Sequence, residues 1–400
     1  MRLPTRPLGM TGLRVSTLGL RVYGGTSHAT VRRAIAHGCS LFDLGRGVRA
    51  QREEAARTLA QALRRSRWDV QESMDVNNDN TFVSCAPVCV VLRSEATLRD
   101  EIFADVASVR NQLFPEEDKV EEGRDGPATA AFPTFNLLLL LSNPTLDSLE
   151  RNFFGTTCSR ATAEEEDNDN DITGARAFLD LRNAGEVAAT GISCHPNATP
   201  SSNPFSSSHH HEVVNRFLQD PSFLADVVDT GFASDWSMHH CRKLCHGHRG
   251  DEKISADNQL HAAAHLGAAV ILNISGEESG TINDPARISS SIPSSSLTAA
   301  TLCTDHAISL EELALYLEVG PPAPSPPISA TFRDAVTPKD VDVLADMMQA
   351  FQQESGGQDL DTEAASADGK MARRHRVKAA ADAWMEMLAV RDVNIQNRIE

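Results

Sequence analysis

The sequence predicts an α/β fold in which parallel strands alternate with helices and close into a barrel. Short apolar runs alternate with segments whose apolar residues recur at helical spacing. This alternation predicts parallel pairing with right-handed crossovers. The run at 135–141 is continuously apolar, as expected for a parallel strand that is buried on both faces. No G-x-G-x-x-G motif occurs, which argues against an open, doubly wound sheet.

Each element is predicted from its apolar pattern and from the residues that end it. Gly38 and Gly185 end two of the helices, and Ser142-Asn143-Pro144 ends the longest apolar strand. The predicted strands are 40–43, 81–91 (one strand or two, because Pro87 interrupts it), 135–141, 187–193, 231–236, 268–274 and 328–332. The predicted helices are 29–37, 52–65, 95–113, 174–184, 213–218, 258–266 and 308–318.

One barrel domain is predicted for residues 1–350, followed by a linker and a C-terminal helix in 351–400. Val377, Ala381, Trp384 and Leu388 share one face of that helix, which we expect to dock on the barrel. The domain contains segments that are acidic or rich in Ser and His, compositions typical of solvated insertions. These insertions lie near 115–130, 160–172, 200–211 and 276–300.

Composition limits the partners of the chain. The 400 residues are 41% hydrophobic and carry a net charge of −18, which disfavours binding to nucleic acid or to an anionic membrane surface. No apolar run approaches the ~18 residues of a membrane span. Eight cysteines without a C-x-x-C pair indicate free thiols and a cytoplasmic location. Residues 1–41 contain Arg but no Asp or Glu, so mitochondrial import is a minor alternative.

Two motifs carry a resemblance to a known family. Residues 8–20 read L-G-M-T-G-L-R-V-S-T-L-G-L, and residues 38–43 read G-C-S-L-F-D. This order resembles the start of an aldo-keto reductase, where a β-hairpin lies under the barrel floor and a G-x-x-x-F-D strand carries the catalytic Asp. Gly191-Ile192-Ser193-Cys194 is similar to the family's G-V-S-N, and residues 308–315 to its seventh helix.

The resemblance covers most of residues 7–318. It implies a (β/α)8 TIM barrel with an N-terminal β-hairpin, a site at the carboxyl ends of the strands, NADP as cofactor and a small carbonyl compound as substrate.

The family's reaction requires an Asp, a Tyr, a Lys and a His, and the resemblance assigns a residue of this chain to each position. The Asp is Asp43, the Tyr position falls on Val48, and the His position falls on Ser142. The Lys position falls on Ala86 if the third strand ends there, or on Arg93 if the strand ends later. Without a positioned acid, an alkoxide would form unprotonated, which costs most of the rate. We therefore expect lost or strongly reduced carbonyl reductase activity.

The cofactor positions are substituted as well. The family's glycine at the end of the first strand is Arg21, and its nicotinamide carboxamide pair is Ser193-Cys194. No counterpart of the family's phosphate-binding residues is found in 327–339, so weak or absent NADP binding is expected. We expect Arg21 to pair with Asp43 in the nicotinamide space. In the alternative interpretation, Asp43 is a retained turn or capping residue.

Two other functions stay open at this stage. The first is a noncatalytic scaffold or regulatory subunit that binds protein partners. The second is an enzyme of another class that uses Asp43 with His195 or His239. Residues 239–248 hold several His and Cys, but structural zinc sites usually combine ligand pairs from separate segments. We interpret this stretch as a polar loop and predict no metal.

Overall fold

The structure is a computed structural model, which describes most of the elements and several of the loops. The described residues are 2–45, 47–75, 87–114, 135–155, 173–194, 206–220, 224–230, 263, 265–273, 304–308, 312–313, 315–316, 328–351, 372–373 and 375–383. The strands are β1 Thr5–Pro7, β2 Arg14–Ser16, β3 Leu18–Arg21, β4 Leu41–Asp43, β5 Val88–Ser94, β6 Phe135–Ser142, β7 Ala189–Cys194, β8 Val227–Thr230, β9 Ala269–Asn273 and β10 Ile328–Asp334. The helices are α1 His28–Ala36, α2 Arg49–Asp75, α3 Arg99–Leu113, α4 Leu146–Ser148, α5 Gly174–Asn183, α6 Ser206–Leu218 and α7 Pro338–Ala350, with a π-helical turn at Leu149–Phe153.

Strands β3 to β10 form a closed barrel of parallel strands, in which β10 pairs with β3. The antiparallel pair β1–β2 forms a separate hairpin. Leu8 and Val15 of the hairpin pack with the residues inside the barrel, and the N–H of Met10 donates to the carbonyl of Gly267, just before β9. The hairpin therefore closes the amino-terminal end of the barrel. The predicted (β/α)8 barrel with an N-terminal hairpin is confirmed.

Two apolar layers surround the strands. Along β6, Leu138 and Leu140 pack inside the barrel, whereas Leu137, Leu139 and Leu141 pack in the outer layer beneath the helices. This alternation explains the continuous apolar run of β6, because both of its faces are buried.

The fifth and eighth strands lie elsewhere than the sequence predicts. Strand β5 begins directly after Pro87 and continues to Ser94, because a proline has no N–H for the strand ladder and fits best before its first residue. The prediction of a strand at 231–236 is wrong for this barrel position, since β8 is Val227–Thr230 and pairs with β7 and β9. Residues 231–236 lie outside the described residues.

Several helices also differ from expectation, among them α2, which continues to Asp75 beyond its predicted end at residue 65. Helix α6 begins at Ser206 and so includes the second half of the predicted 200–211 insertion. Helix α7 was not predicted, although Thr337 and Asp340 form a capping box around Pro338 at its start. Helix α6 shows that polar composition alone is a weak guide to loops.

The C-terminal segment docks as predicted where it is described. Val377 and Ala381 are buried, and Arg373 forms an ion pair with Glu312. Trp384 and Leu388 lie outside the described residues. None of the helices in the described part of the chain is long and apolar enough to cross a membrane.

Candidate active site

The carboxyl ends of the barrel strands bring polar side chains together on the barrel axis. Leu41, Val91 and Val227 belong to the inner apolar cluster. Because side chains alternate along a strand, residues two positions further along also point inward. These residues are Asp43, Arg93 and Asp229.

Arg93 is the centre of this polar layer. Its Nη1 donates to both carboxylate oxygens of Asp43, at 2.6 and 2.5 Å. Its Nε donates to Asp229 Oδ2 at 2.8 Å, and its Nη2 lies 2.7 Å from the same oxygen. Ser193 Oγ accepts from Arg93 Nε at 3.1 Å and donates to Asp229 Oδ2 at 2.8 Å. The three charged side chains are at most 1% exposed, so the ion pairs are shielded from water.

Electrostatics fix the protonation of this cluster. Burial alone would raise the pKa of Asp43, but Arg93 and Arg21 outweigh burial, and the pKa lies below its ordinary value. Burial likewise disfavours the charged form of Arg93, but Asp229 and Asp43 outweigh it and raise the pKa. Arg93 therefore keeps its proton throughout the physiological range and cannot act as a general acid.

The predicted pair between Arg21 and Asp43 is confirmed. Arg21 Nε lies 3.5 Å from Asp43 Oδ2. The closer partner of Arg21 is Asp334, whose carboxylate oxygens accept from Nη1 at 2.8 and 2.9 Å. Asp334 lies opposite Arg21 in the β3–β10 register, so this pair joins the first and last strands of the barrel. Sequence reasoning missed Asp334.

Asp43 also has the turn role that the alternative interpretation assigns to it. Its Oδ1 accepts from the N–H of Gly45 at 2.9 Å, and Gly45 has a φ of 76°. A glycine tolerates this left-handed conformation without strain. The Asp43 carboxylate thus has two roles: it fixes the turn after β4, and it binds Arg93.

The remaining candidate residues occupy different surroundings. Val48 precedes α2 and is 70% exposed. Ala86 lies outside the described residues, whereas Arg93 stands near the carboxyl end of the strand next to β4. Strand β5 ends at Ser94, later than Ala86. Ser142 and Ser193 are paired residues of β6 and β7, and Cys194 packs in the outer layer, away from the barrel interior.

A second ion pair joins α2 to α3 beside the end of β5. Arg52 Nη2 donates to Asp105 Oδ2 at 2.8 Å, and its Nη1 donates to the carbonyl of Arg93 at 3.0 Å. Ser94 Oγ donates to the same Asp105 oxygen at 2.7 Å. Arg52 and Asp105 are each 5% exposed. They are positioning residues, because they fix the backbone that carries Arg93.

Removal of this pair is expected to be costly. Arg52→Met leaves Asp105 buried with only Ser94 and the partly exposed Arg49 as partners, so we expect a loss of about 3 kcal/mol in the free energy of unfolding. Urea denaturation followed by circular dichroism measures the change. Arg151→Ala is the matched control, because its pair with Asp147 is 69% and 68% exposed and should contribute less than about 1 kcal/mol. Equal losses in the two variants would contradict the positioning role.

The residues present do not fit the nicotinamide cofactor that the resemblance implies. The hydroxyl of Ser193 is already engaged by Arg93 and Asp229, and Cys194 faces the outer layer. The start of α7 holds its own carboxylate, because Asp340 accepts from the N–H groups of Val336 and Thr337. A carboxylate at this position opposes a phosphate.

Metal ligands are not grouped in the part of the chain that is described, since no cluster of three or more His, Cys, Asp or Glu could hold an ion there. His195, His239 and the 239–248 stretch lie outside it.

Fold and site together define a (β/α)8 barrel protein whose carboxyl-end site is filled by its own ion pairs. No family model and no curated protein matches the chain. Among solved structures, the chain is similar to a Bombyx mori aldo-keto reductase in complex with NADP, with 13% identity, a TM-score of 0.47, and coverage of 94% of this chain and 95% of that one. It is also similar to an aldo/keto reductase from Brucella melitensis, with 13% identity, a TM-score of 0.47, and coverage of 94% and 98%. The strand pairing by itself defines the barrel, independently of these similarities.

Proposed function

We propose that the chain is an aldo-keto reductase-like barrel whose carbonyl reductase activity is lost or strongly reduced. The observation that supports this proposal is the position of Arg93 between Asp43 and Asp229, at 2.5 and 2.7 Å. In the family reaction, Asp pairs with a Lys that lowers the pKa of a Tyr proton donor. Here Asp43 is engaged by a guanidinium that has a second carboxylate partner, and the Tyr position carries Val48.

The described residues at the family's Asp, Lys and His positions supply no acid for the reaction. Asp43 is a carboxylate at neutral pH, Arg93 keeps its proton, and a serine hydroxyl such as Ser142 is far too weak an acid to replace a tyrosine. With these three groups alone, a substrate oxygen that received a hydride would remain an unprotonated alkoxide. This chemistry supports the loss of most of the rate.

NADP is expected as a cofactor only because the chain resembles the family. The occupied Ser193 hydroxyl and the outward-facing Cys194 support weak or absent binding. The alternative is a noncatalytic barrel that serves as a scaffold or regulatory subunit for protein partners, and it becomes the leading candidate if no turnover is found.

Isothermal titration calorimetry with NADPH tests the proposal. We expect no saturable binding at about 1 mM NADPH, the upper end of ordinary KM values, and aldehyde turnover well below about 1 s⁻¹. An active aldo-keto reductase in the same buffers is the control. Saturable binding in the micromolar range together with aldehyde reduction at an ordinary enzymatic rate would disprove the proposal.

A double variant distinguishes two causes of lost activity, the absence of catalytic side chains and the absence of a cofactor site. Val48→Tyr combined with Arg93→Lys restores the two residue types that the family reaction requires. If this double variant also leaves NADPH unbound, the cofactor site rather than the acid limits the activity. If it binds NADPH and reduces aldehydes, the loss lies in those two positions alone.

A further inference from the structure

The N-terminal hairpin carries positive charge that the described carboxylates do not balance. Residues 1–41 contain Arg but no Asp or Glu, although the whole chain has a net charge of −18. Arg2 and Arg14 are exposed, and neither forms an ion pair with a described residue. The hairpin is therefore a basic region on an acidic protein. Arginines elsewhere on the described surface do pair with carboxylates, as in Arg99–Asp180, Arg110–Glu186, Arg151–Asp147, Arg182–Asp226 and Arg216–Glu150.

Arg14 is held on the face of the hairpin that is turned away from the barrel. The next residue, Val15, packs inside the barrel, and neighbouring side chains of a strand point in opposite directions. Arg14 Nη2 donates to the carbonyl oxygen and to Oγ1 of Thr5, at 3.0 and 3.4 Å, so the guanidinium lies over β1. Its other N–H groups have no acceptor within the described ranges and are available to an acceptor from outside.

Two exposed apolar side chains lie at the tip of the same hairpin. Met10 is 84% exposed and Leu266 is 53% exposed. The N–H of Met10 donates to the carbonyl of Gly267 at 3.0 Å. A Cβ on Gly267 would lie only 2.2 Å from Met10 Sδ, so the methionine side chain covers the glycine that directly follows Leu266. Contact with a partner would remove this apolar surface from water.

The hairpin loop brings the charged and the apolar groups together. The N–H of Leu8 donates to the carbonyl of Leu13 at 2.8 Å, which closes the loop with Met10 at its tip and Arg14 directly after it. An extended chain spans about 3.3 Å per residue, so a few residues of a partner reach from Arg14 to Met10.

Charge selects the class of partner. A guanidinium binds a carboxylate through parallel hydrogen bonds, and a methionine side chain adapts its shape to an apolar group. Nucleic acid and anionic membranes are long or extended polyanions, which the net charge of −18 repels. A short acidic segment brings only a few charges, so the local attraction of Arg14 decides.

We propose that the hairpin surface, formed by Met10, Arg14 and Leu266, binds an acidic segment of a partner protein that also carries an apolar side chain. A carboxylate of the segment accepts from Arg14, and the apolar side chain packs on Met10 and Leu266. The hairpin surface lies at the amino-terminal end of the barrel, whereas Asp43 and Arg93 lie at the carboxyl end. Binding there is therefore independent of any reaction at the carboxyl end.

Fluorescence anisotropy with the full-length chain tests this proposal. The probe is a labelled synthetic peptide in which several Glu and Asp residues surround one Leu. We expect saturable binding that is lost at about 1 M salt, where the Debye length falls to about 3 Å. Arg14→Ala should weaken binding about fivefold, and Met10→Ser by a similar factor. Arg151→Ala is the matched control, because it removes the same charge from a 69% exposed site after β6 and should bind like the natural protein.

Three results would overturn the proposal. The first is no saturable binding of the peptide, or equal binding by Arg14→Ala and Arg151→Ala when circular dichroism shows both to be folded. The second is tighter binding of phosphatidylserine vesicles or single-stranded DNA than of the peptide. The third is a dimer of the natural chain in sedimentation equilibrium that Arg14→Ala dissociates, which would assign the hairpin surface to a second copy. None of these measurements involves NADPH, so a failure here is distinguishable from a failure of the proposed function.

Discussion

Arg93→Met is expected to lower the free energy of unfolding by about 3–5 kcal/mol, because it leaves two buried carboxylates without their shared partner. Asp43 and Asp229 are fully buried, and Arg93 contacts both within 2.8 Å. Arg21 stays near Asp43 at 3.5 Å, but it is bound more closely by Asp334. Urea denaturation followed by circular dichroism at neutral pH measures the loss.

The loss in the free energy of unfolding that Arg93→Met causes should depend on pH. In the natural protein the pKa of Asp43 is held below its ordinary value, so the stability it contributes is present above the usual Asp range and is lost as the pH falls through the lowered pKa. In the variant, burial without Arg93 favours the protonated carboxyl instead. The difference between variant and natural protein is therefore expected to be largest at neutral pH and to shrink between about pH 5 and pH 3, around the ordinary Asp pKa of about 3.9.

Two further variants distinguish the ion pairs from simple loss of volume. Arg93→Lys keeps the charge but loses the planar fork that reaches both carboxylates, so an intermediate loss is expected. Asp43→Asn, Arg93→Met and Asp229→Asn combined remove all three charges, and should recover part of the stability that Arg93→Met alone loses. A deficit in Arg93→Met that is the same at every pH would contradict the electrostatic explanation and indicate a packing defect.

The N-terminal part of the fold could be predicted because its signals are local. The hairpin motif and the strand ending in Asp43 are each short, continuous stretches of sequence, and turn glycines mark their ends. The position of Asp43 at the barrel axis follows from such a pattern. Its partner Arg93 lies 50 residues away in the chain, and only the strand that carries it brings the two together.

Asp229 was missed because its strand was placed too late in the chain. Val227-Val228-Asp229 repeats the form of Leu41-Phe42-Asp43, two apolar residues followed by an aspartate at a strand end. This short signal could have identified β8. The bridge from Arg93 to Asp229 spans 136 residues, and no local pattern predicts a contact of that range.

Gly191→Ala is the second substitution with a large expected effect, and the reason lies between β7 and β8. A Cβ at position 191 would lie 1.9 Å from the carbonyl oxygen of Val227 and 2.8 Å from its carbonyl carbon. Both atoms belong to the main chain, and Gly191 and Val227 are partners in the strand register. No rotamer change can relieve this overlap, so the two strands must separate. We expect a loss of more than about 3 kcal/mol in the free energy of unfolding.

Gly24→Ala is the matched control for this prediction. Its Cβ would come within 3.0 Å of Glu54 Oε2, the movable end of a side chain, so a much smaller change in the urea midpoint is expected. Equal stability of Gly191→Ala and Gly24→Ala would contradict the conclusion that β7 lies too close to Val227 to hold a side chain at position 191.

The same strand separation should reach the polar cluster at the carboxyl end. Ser193 and Asp229 follow Gly191 and Val227 by two residues on the same strands, and they are joined by a hydrogen bond of 2.8 Å. Moving β8 away from β7 lengthens that bond and draws Asp229 away from Arg93. A glycine at position 191 is thus required because it lets β7 and β8 approach closely. This approach places Ser193 and Asp229 where both contact the buried Arg93.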